Sequence, residues 1–87
     1  MGFLYILESE KDGRYYIGST NNLERRLAEH NSGKTRSIKN LRPVRLVFYK
    51  EFDTLTQARQ MELKLKSFKS RKILEKIVED QNIKTGL

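Results

Sequence analysis

The chain has 87 residues, with 18 Lys and Arg against 11 Asp and Glu, which gives a net charge of +7 at pH 7. A chain of this length forms one domain that buries roughly 60–65% of its unfolded surface, too little for a barrel enzyme or a deep cofactor cavity. The absence of Cys excludes disulfides, thiolate metal sites and a Cys nucleophile, and the single His excludes a multi-histidine metal cluster.

The positive charge is concentrated in one part of the sequence. Residues 1–24 carry a net charge of −2, residues 25–50 carry +7 and residues 51–87 carry +2. A localised basic field is typical of a surface that binds a polyanion, whereas the alternative is a basic surface that only keeps the chain in solution. The apolar run at residues 3–7 is too short for a membrane span or a signal-peptide core, so we expect a cytoplasmic protein without membrane contact.

The first half of the chain predicts a hairpin followed by a helix. Residues 3–8 predict a buried strand, residues 10–14 a turn with an Asp-Gly signal, and residues 15–19 a second, antiparallel strand. Gly18 at the end of that strand predicts a turn or a close backbone approach. Asn21, with Glu24 three residues later, predicts a helix N-cap, and the helix is expected to end near residues 31–33.

The second half predicts one strand and two helices. Residues 32–42 form a basic loop, and residues 44–49 predict the third strand. Thr54 and Gln57 predict a capping pair for a helix over 55–66, a third helix follows at about 71–80, and residues 81–87 are expected to be a frayed tail. The order β-β-α-β-α-α predicts an α+β fold in which helices flank a small three-stranded, mainly antiparallel sheet, with residues 1–80 as a single domain.

Residues that can carry chemistry follow one another in a definite order. Tyr5 lies in the first strand and Tyr16 in the second, and Arg26 and His30 share one face of the first helix. Glu62 lies in the next helix. Because the hairpin and both helices are expected to pack on the sheet, we expect these five side chains to meet at one end of it.

The string from Tyr16 to His30, YIGSTNNLERRLAEH, resembles the motif of the GIY-YIG nuclease family, which has the form YIG-S/T-x-x-x-L-x-x-R-x-x-x-H. The first half of the motif is degenerate, since residues 3–5 read FLY and keep only the tyrosine. The resemblance extends from Phe3 to about Phe68. It is greatest to small stand-alone bacterial members, and relatives include the N-terminal cleavage domain of the bacterial excision-repair nuclease.

This resemblance implies an endonuclease of DNA repair or recombination that hydrolyses DNA phosphodiesters with one divalent ion, Mg²⁺ or Mn²⁺, and is directed by structure rather than by sequence. By position it implies two motif tyrosines, a catalytic arginine, a supporting histidine and a metal-binding carboxylate, which are Tyr5 and Tyr16, Arg26, His30 and Glu62. A fixed guanidinium and a cation stabilise charge that gathers on phosphate oxygens. Either tyrosine can be the group that takes the proton of the attacking water.

The basic window predicts contacts with the nucleic-acid backbone. The residues expected to make them are Arg25, Lys34, Arg36, Lys39 and Arg42. The expected substrate is branched, nicked or damaged DNA; RNA stays open, and a protein partner could supply specificity.

Each of these residues also has an ordinary structural interpretation. The tyrosines could be strand aromatics, Arg26 a solvated helix residue, His30 a helix C-cap, and Glu62 an i, i+4 partner of Lys66. The alternative function is a nucleic-acid-binding module that keeps the fold and lacks effective chemistry. A third interpretation, a basic RNA-associated protein unrelated to nucleases, requires the string to have arisen by chance.

Overall fold

The structure, a computed structural model, describes residues 1–32 and 43–83. Their elements follow in the order β1 (Gly2–Ser9), β2 (Tyr15–Thr20), α1 (Leu23–Ser32), β3 (Val44–Phe52), α2 (Leu55–Phe68) and α3 (Arg71–Asp80). The strands form one antiparallel sheet in the order β2-β1-β3. The predicted α+β class and element order are confirmed. Within the described ranges, no helix combines the length and apolar character that crossing a membrane requires.

The central strand β1 divides the hydrophobic core between the two faces of the sheet. Leu4 and Ile6 are fully buried and belong to a cluster with side chains of α2 and α3. Tyr5 and Leu7 belong to a second cluster, together with the leucines of α1. This separation follows from the alternation of side chains along a strand, so α1 covers one face of the sheet and α2 and α3 cover the other.

The boundaries differ from the prediction at the N-cap of α1 and at the ends of β3 and α2. Asn22 Oδ1 accepts from the Arg25 amide at 3.0 Å, so the N-cap of α1 is Asn22 and the predicted cap at Asn21 is wrong by one residue. The shift follows from a local turn after β2, in which the Thr20 hydroxyl oxygen accepts from the Asn22 amide at 3.1 Å. Asn21 lies inside this turn, so the helix begins one residue later. The predicted capping box at the start of α2 is confirmed, but α2 continues to Phe68 and β3 to Phe52.

A β-bulge in β3 is joined to the end of α3. The register changes between the pairs Ile6–Phe48 and Leu7–Leu46, which leaves Val47 as the extra residue. The Val47 carbonyl accepts from Gln81 Nε2 at 2.9 Å, so a side chain supplies the hydrogen bond that the ladder lacks there. Ile83 packs against the core; residues 84–87 lie outside the described residues, and the predicted division into a domain over 1–80 and a tail over 81–87 stays a prediction.

Candidate active site

The candidate site lies along the free edge of β2. Since side chains alternate along a strand, Tyr16 lies on the face covered by α1, whereas Ser19 lies on the face covered by α2. On α2, three charged residues recur at spacings of three and four and form a stripe, and these are Arg59, Glu62 and Lys66. The sequence-predicted residues therefore do not share one sheet face; they approach the edge of β2 from both sides.

The Tyr5 ring lies directly over Gly18, its cross-strand partner. A Cβ atom at Gly18 would overlap the ring and the hydroxyl of Tyr5. Gly18 is in the interior of β2, so its predicted role as a turn residue is wrong. The close approach at this position is made by an aromatic side chain, and glycine is required because any Cβ would occupy the space of the phenol.

A buried pair of hydrogen-bonded rings joins the hairpin to α1. Tyr5 Oη and His30 Nε2 are 2.8 Å apart, and the His30 ring meets the Tyr16 ring edge-on at a centroid distance of 5.4 Å. His30 is 0% exposed and Tyr5 is 2% exposed. His30 is therefore packed between the two motif tyrosines, and its burial and low pKa do not fit the alternative interpretation as a cation that caps the helix C-terminus.

Burial keeps both members of this pair neutral at pH 7. It raises the pKa of the Tyr5 phenol, a rise that the Arg26 guanidinium partly opposes. Burial lowers the pKa of His30 to about 4, and the positive charge of Arg26 acts in the same direction. Arg26 can only donate and its guanidinium favours the Tyr5 oxygen as an acceptor, while one hydrogen bond joins that oxygen to Nε2 of His30.

Arg26 reaches from α1 toward these rings and keeps donors free. Its Nη1 lies 3.4 Å from Glu29 Oε1, an ion pair whose side chains are 38% and 33% exposed. Its Nε is buried and finds no hydrogen-bond partner within the described ranges. Since a guanidinium does not lose its proton, this residue is a fixed positive charge at the edge of the buried pair.

Glu62 presents its carboxylate to the other side of β2. The Ser19 hydroxyl donates to Oε1 at 2.5 Å, and Lys66 Nζ contacts Oε2 at 2.6 Å. The Glu62 side chain is 18% exposed. Lys66 Nζ also lies 5.9 Å from the centroid of the Tyr16 ring, and the Glu62 charge is one of the causes that raise the pKa of Tyr5. Glu62 is thus electrostatically connected to the tyrosines around the strand edge.

Comparison with known proteins shows the family of the chain. The profile of the GIY-YIG catalytic domain matches residues 1–75. The chain belongs to the GIY-YIG catalytic domain family. It is 37% identical to a UPF0213 protein of Staphylococcus saprophyticus over 88% of this chain and 94% of the relative, and 37% identical to the UPF0213 protein YazA of Bacillus subtilis over 98% and 86%. The solution NMR structure of the UPF0213 protein BH0048 from Bacillus halodurans is similar at a TM-score of 0.57 and 34% identity, covering 91% of this chain and 84% of that one.

The oxygen ligands of the candidate site decide whether it fits a divalent cation. Within the described part of the chain, no three His, Cys, Asp or Glu side chains gather into a cluster. Glu62 nevertheless offers a hard oxygen ligand whose orientation is held by Ser19, and Mg²⁺ is commonly bound by one or two carboxylates together with waters and phosphate oxygens. The ammonium of Lys66 contacts Oε2, but the Lys66 side chain is flexible and half-exposed and can move away to leave this oxygen to a cation. The donor set fits one Mg²⁺ or Mn²⁺ ion.

Two residues at the candidate site, Ser19 and Arg59, were missed in the sequence, whereas the i, i+4 pairing of Lys66 with Glu62 was predicted as an alternative and is present. Ser19 and Lys66 hold the Glu62 carboxylate, and Arg59 precedes Glu62 by one helical turn. The contact of Ser19 with Glu62 joins β2 to α2 across 43 positions, a separation that periodicity cannot reveal. The spacing of three and four on α2 is the one signal that could have indicated the stripe. The predicted phosphate-binding residues of the loop, Lys34, Arg36, Lys39 and Arg42, lie outside the described residues.

Proposed function

We propose that this chain is a divalent-metal-dependent endonuclease that hydrolyses phosphodiester bonds in DNA and is directed by the structure of the DNA. The observation that carries the proposal is the pairing of a fixed cation with a held carboxylate at one strand edge, Arg26 on the α1 side and Glu62 on the α2 side. Together with family membership, this arrangement supports chemistry on a phosphate group.

Arg26 has the properties needed to stabilise a phosphodiester transition state. Charge develops on the non-bridging oxygens during attack, and a preorganised guanidinium stabilises that charge without reorientation. The weakly paired Nη1 of this part-exposed side chain leaves donors for those oxygens. The Tyr5–His30 pair packs beneath Arg26 and keeps it in position, so we assign Tyr5 and His30 positioning roles.

Glu62 is the residue that would hold the divalent cation. A bound Mg²⁺ or Mn²⁺ supplies Lewis-acid stabilisation of negative charge on phosphate oxygens. Ser19 orients the carboxylate by donating to Oε1. Lys66 neutralises the same carboxylate through Oε2, so the free protein does not carry an uncompensated negative charge where the DNA backbone approaches.

Tyr16 is the better placed of the two tyrosines to take the proton of the attacking water. Tyr5 is buried, its pKa is raised, and its Oη is already hydrogen-bonded to His30. Tyr16 is partly exposed at the edge of β2. We therefore assign the general-base role to Tyr16, with the neutral His30 fixing its ring from behind.

The substrate class follows from charge. We propose that the basic window holds the backbone of branched, nicked or damaged DNA through Arg25, Lys34, Arg36, Lys39 and Arg42. Arg and Lys side chains contact phosphates whatever the base sequence, and the sequence offers no recognisable base-reading element, which favours recognition of DNA structure over sequence. A role in DNA repair or recombination in the cytoplasm follows from such a substrate.

The experiment that tests this function is single-turnover cleavage of branched DNA across a metal titration. Arg26→Ala should lower the rate on the order of 10²–10³ at every metal concentration, and Arg26→Lys should restore only part of it, because an ammonium lacks the planar fork. Glu62→Gln should raise the metal concentration needed and recover part of the rate at high metal. Lys76→Ala is the control, since Lys76 lies outside the basic window and forms an ion pair with Asp80 within α3.

Two outcomes would contradict the proposal. If the wild-type protein cleaves no DNA structure with Mg²⁺ or Mn²⁺ above a chelator control, the protein is not this enzyme. If it cleaves and Arg26→Ala cleaves equally well, Arg26 is not the catalytic arginine.

One observation favours the alternative of a nucleic-acid-binding module. The Glu62–Lys66 ion pair at 2.6 Å already satisfies the carboxylate oxygen that faces solvent. If Lys66 keeps its place when metal is present, the chain binds nucleic acid through its basic surface without cleaving it. Metal-independent DNA binding without cleavage is the result expected for this alternative.

A further inference from the structure

A cleft of about 280 Å³ opens beside the candidate site, where β2 ends and the first turns of α1 and α2 approach each other. Three of the residues that line it are arginines, Arg25 and Arg26 from α1 and Arg59 from α2. Residues 19–21 at the end of β2 supply hydroxyl and amide groups to its wall.

The cleft gathers positive charge without a carboxylate to balance it. No Asp or Glu is among the residues of ranges 1–32 and 43–83 that line it. Arg25 Nη2 donates to Asn21 Oδ1 at 3.2 Å, a neutral acceptor. Arg59 is exposed, and it forms no ion pair or side-chain hydrogen bond with the part of the chain that the structure describes. Because guanidinium groups do not titrate near pH 7 and, of the three, Arg26 is paired with Glu29, the cleft keeps a net positive charge that a bound anion would offset.

The placement of the cleft relates it to the reacting phosphate. Arg59 and Glu62 are three residues apart on α2 and so lie on the same side of that helix. Ser19 belongs to the wall of the cleft and also donates its hydroxyl to Glu62. On α1, Arg25 lines the cleft directly beside Arg26. Each helix thus contributes one residue to the proposed chemistry and a neighbouring arginine to the cleft.

We propose that this cleft is a subsite for a second phosphate of the substrate backbone, adjacent to the phosphate that is cleaved, and that Arg59 is its principal binding residue. The inference rests on the proposed function, because that function makes DNA the substrate. Binding of a phosphate in the cleft can be tested without cleavage. Arg59 acts by holding the strand in register with Arg26 and Glu62, and it takes no part in bond breaking.

The test compares Arg59→Gln with Lys64→Gln. Lys64 lies on the same helix, is exposed and is absent from the cleft lining, so both variants lose one positive charge from α2. Binding of a labelled short DNA duplex is measured over a range of salt concentrations with a chelator present. Arg59→Gln should reduce the slope of log K against log salt by about 0.9, the value for one phosphate contact, and lower the affinity several-fold. Lys64→Gln should leave the slope unchanged.

Single-turnover cleavage then separates binding from chemistry. Arg59→Gln should raise the half-saturating DNA concentration by a larger factor than it lowers the saturating rate, whereas Arg26→Ala should do the reverse. Equal salt slopes for Arg59→Gln and Lys64→Gln would overturn the subsite. So would a loss in saturating rate for Arg59→Gln as large as that for Arg26→Ala, because Arg59 would then act in the chemistry. If the wild-type protein does not cleave, the proposed function is contradicted. The salt slopes of the two variants then still decide whether the cleft binds a phosphate.

Discussion

The buried phenol of Tyr5 fills the space that a side chain would need at Gly18, its partner on the facing strand. The phenol lies over the glycine and reaches His30, and His30 in turn contacts Tyr16. One residue without a Cβ therefore permits a chain of ring contacts from the central strand to α1. The Tyr5 ring of the preceding strand therefore requires glycine at this position of the motif, because any Cβ would overlap the ring.

At this scale we expect Gly18→Ala to lower the free energy of unfolding by about 1–3 kcal/mol, the usual cost of overpacking a core. The added methyl group displaces the Tyr5 ring and with it the hydrogen bond to His30. Urea denaturation followed by circular dichroism measures the loss. In a Tyr5→Leu background the same alanine should cost much less; an equal cost in both backgrounds would place the strain elsewhere.

Among the elements, α2 determines how the site is assembled along β2. Its N-terminus is held by a capping box in which Thr54 Oγ1 accepts from the Gln57 amide at 3.2 Å and Gln57 Oε1 accepts from the Thr54 amide at 3.3 Å. The stripe that begins at Arg59 starts one turn later. The cap thus fixes the first turn of the helix that presents Arg59 and Glu62 to the strand edge.

Removal of this cap should weaken the protein measurably. We expect Thr54→Ala to lower the free energy of unfolding by about 1 kcal/mol, because the Gln57 amide loses its acceptor. Thr56→Ala, two residues later on the exposed side of α2, should be neutral or slightly stabilising, since alanine is the better helix former. Thermal unfolding of the two variants side by side gives the comparison, and equal stabilities would show that the box contributes nothing.

The parts of this structure that could be predicted are those encoded over short stretches of chain. The Asp-Gly turn, the Thr54 cap and the periodicity of α2 are local, and the resulting element order is confirmed. Ser19 and Arg59 were missed because their roles arise from contacts between distant elements. The expectation that all five side chains meet at one end of the sheet is wrong for Glu62, since α2 lies on the opposite face from Tyr16 and the two are related only around the edge of β2.

Across the whole molecule, the buried His30 couples folding to pH. Its pKa is lowered from 6.5 to about 4 by burial and by Arg26, with Glu29 acting in the opposite direction. Between those two values the unfolded chain binds a proton at this residue that the folded protein does not accept. The free energy of unfolding therefore falls as the pH is lowered from 7 toward 4.

We expect this single group to account for a loss of about 2 kcal/mol between pH 7 and pH 5. Urea denaturation at closely spaced pH values measures the slope, and His30→Gln should flatten it. If that variant is too unstable to measure, the ring-proton NMR resonances of His30 in the wild-type protein report the same quantity. A midpoint near 6.5 for those resonances, in place of one near 4, would contradict the coupling.

The strand at the centre of the sheet is the first strand in the chain, and this order has a consequence during synthesis. The β1–β2 hairpin can close as soon as a few tens of residues are available, whereas the pairs of β1 with β3 span from 35 positions, for Ser9 with Val44, to 50 positions, for Gly2 with Phe52. Pairings of such separation form late because the loop must close first. Until β3 arrives, the nascent chain exposes an unpaired, strongly apolar edge that can pair with another copy, so the interval between translation of the hairpin and of Phe52 is when this protein is most exposed to aggregation.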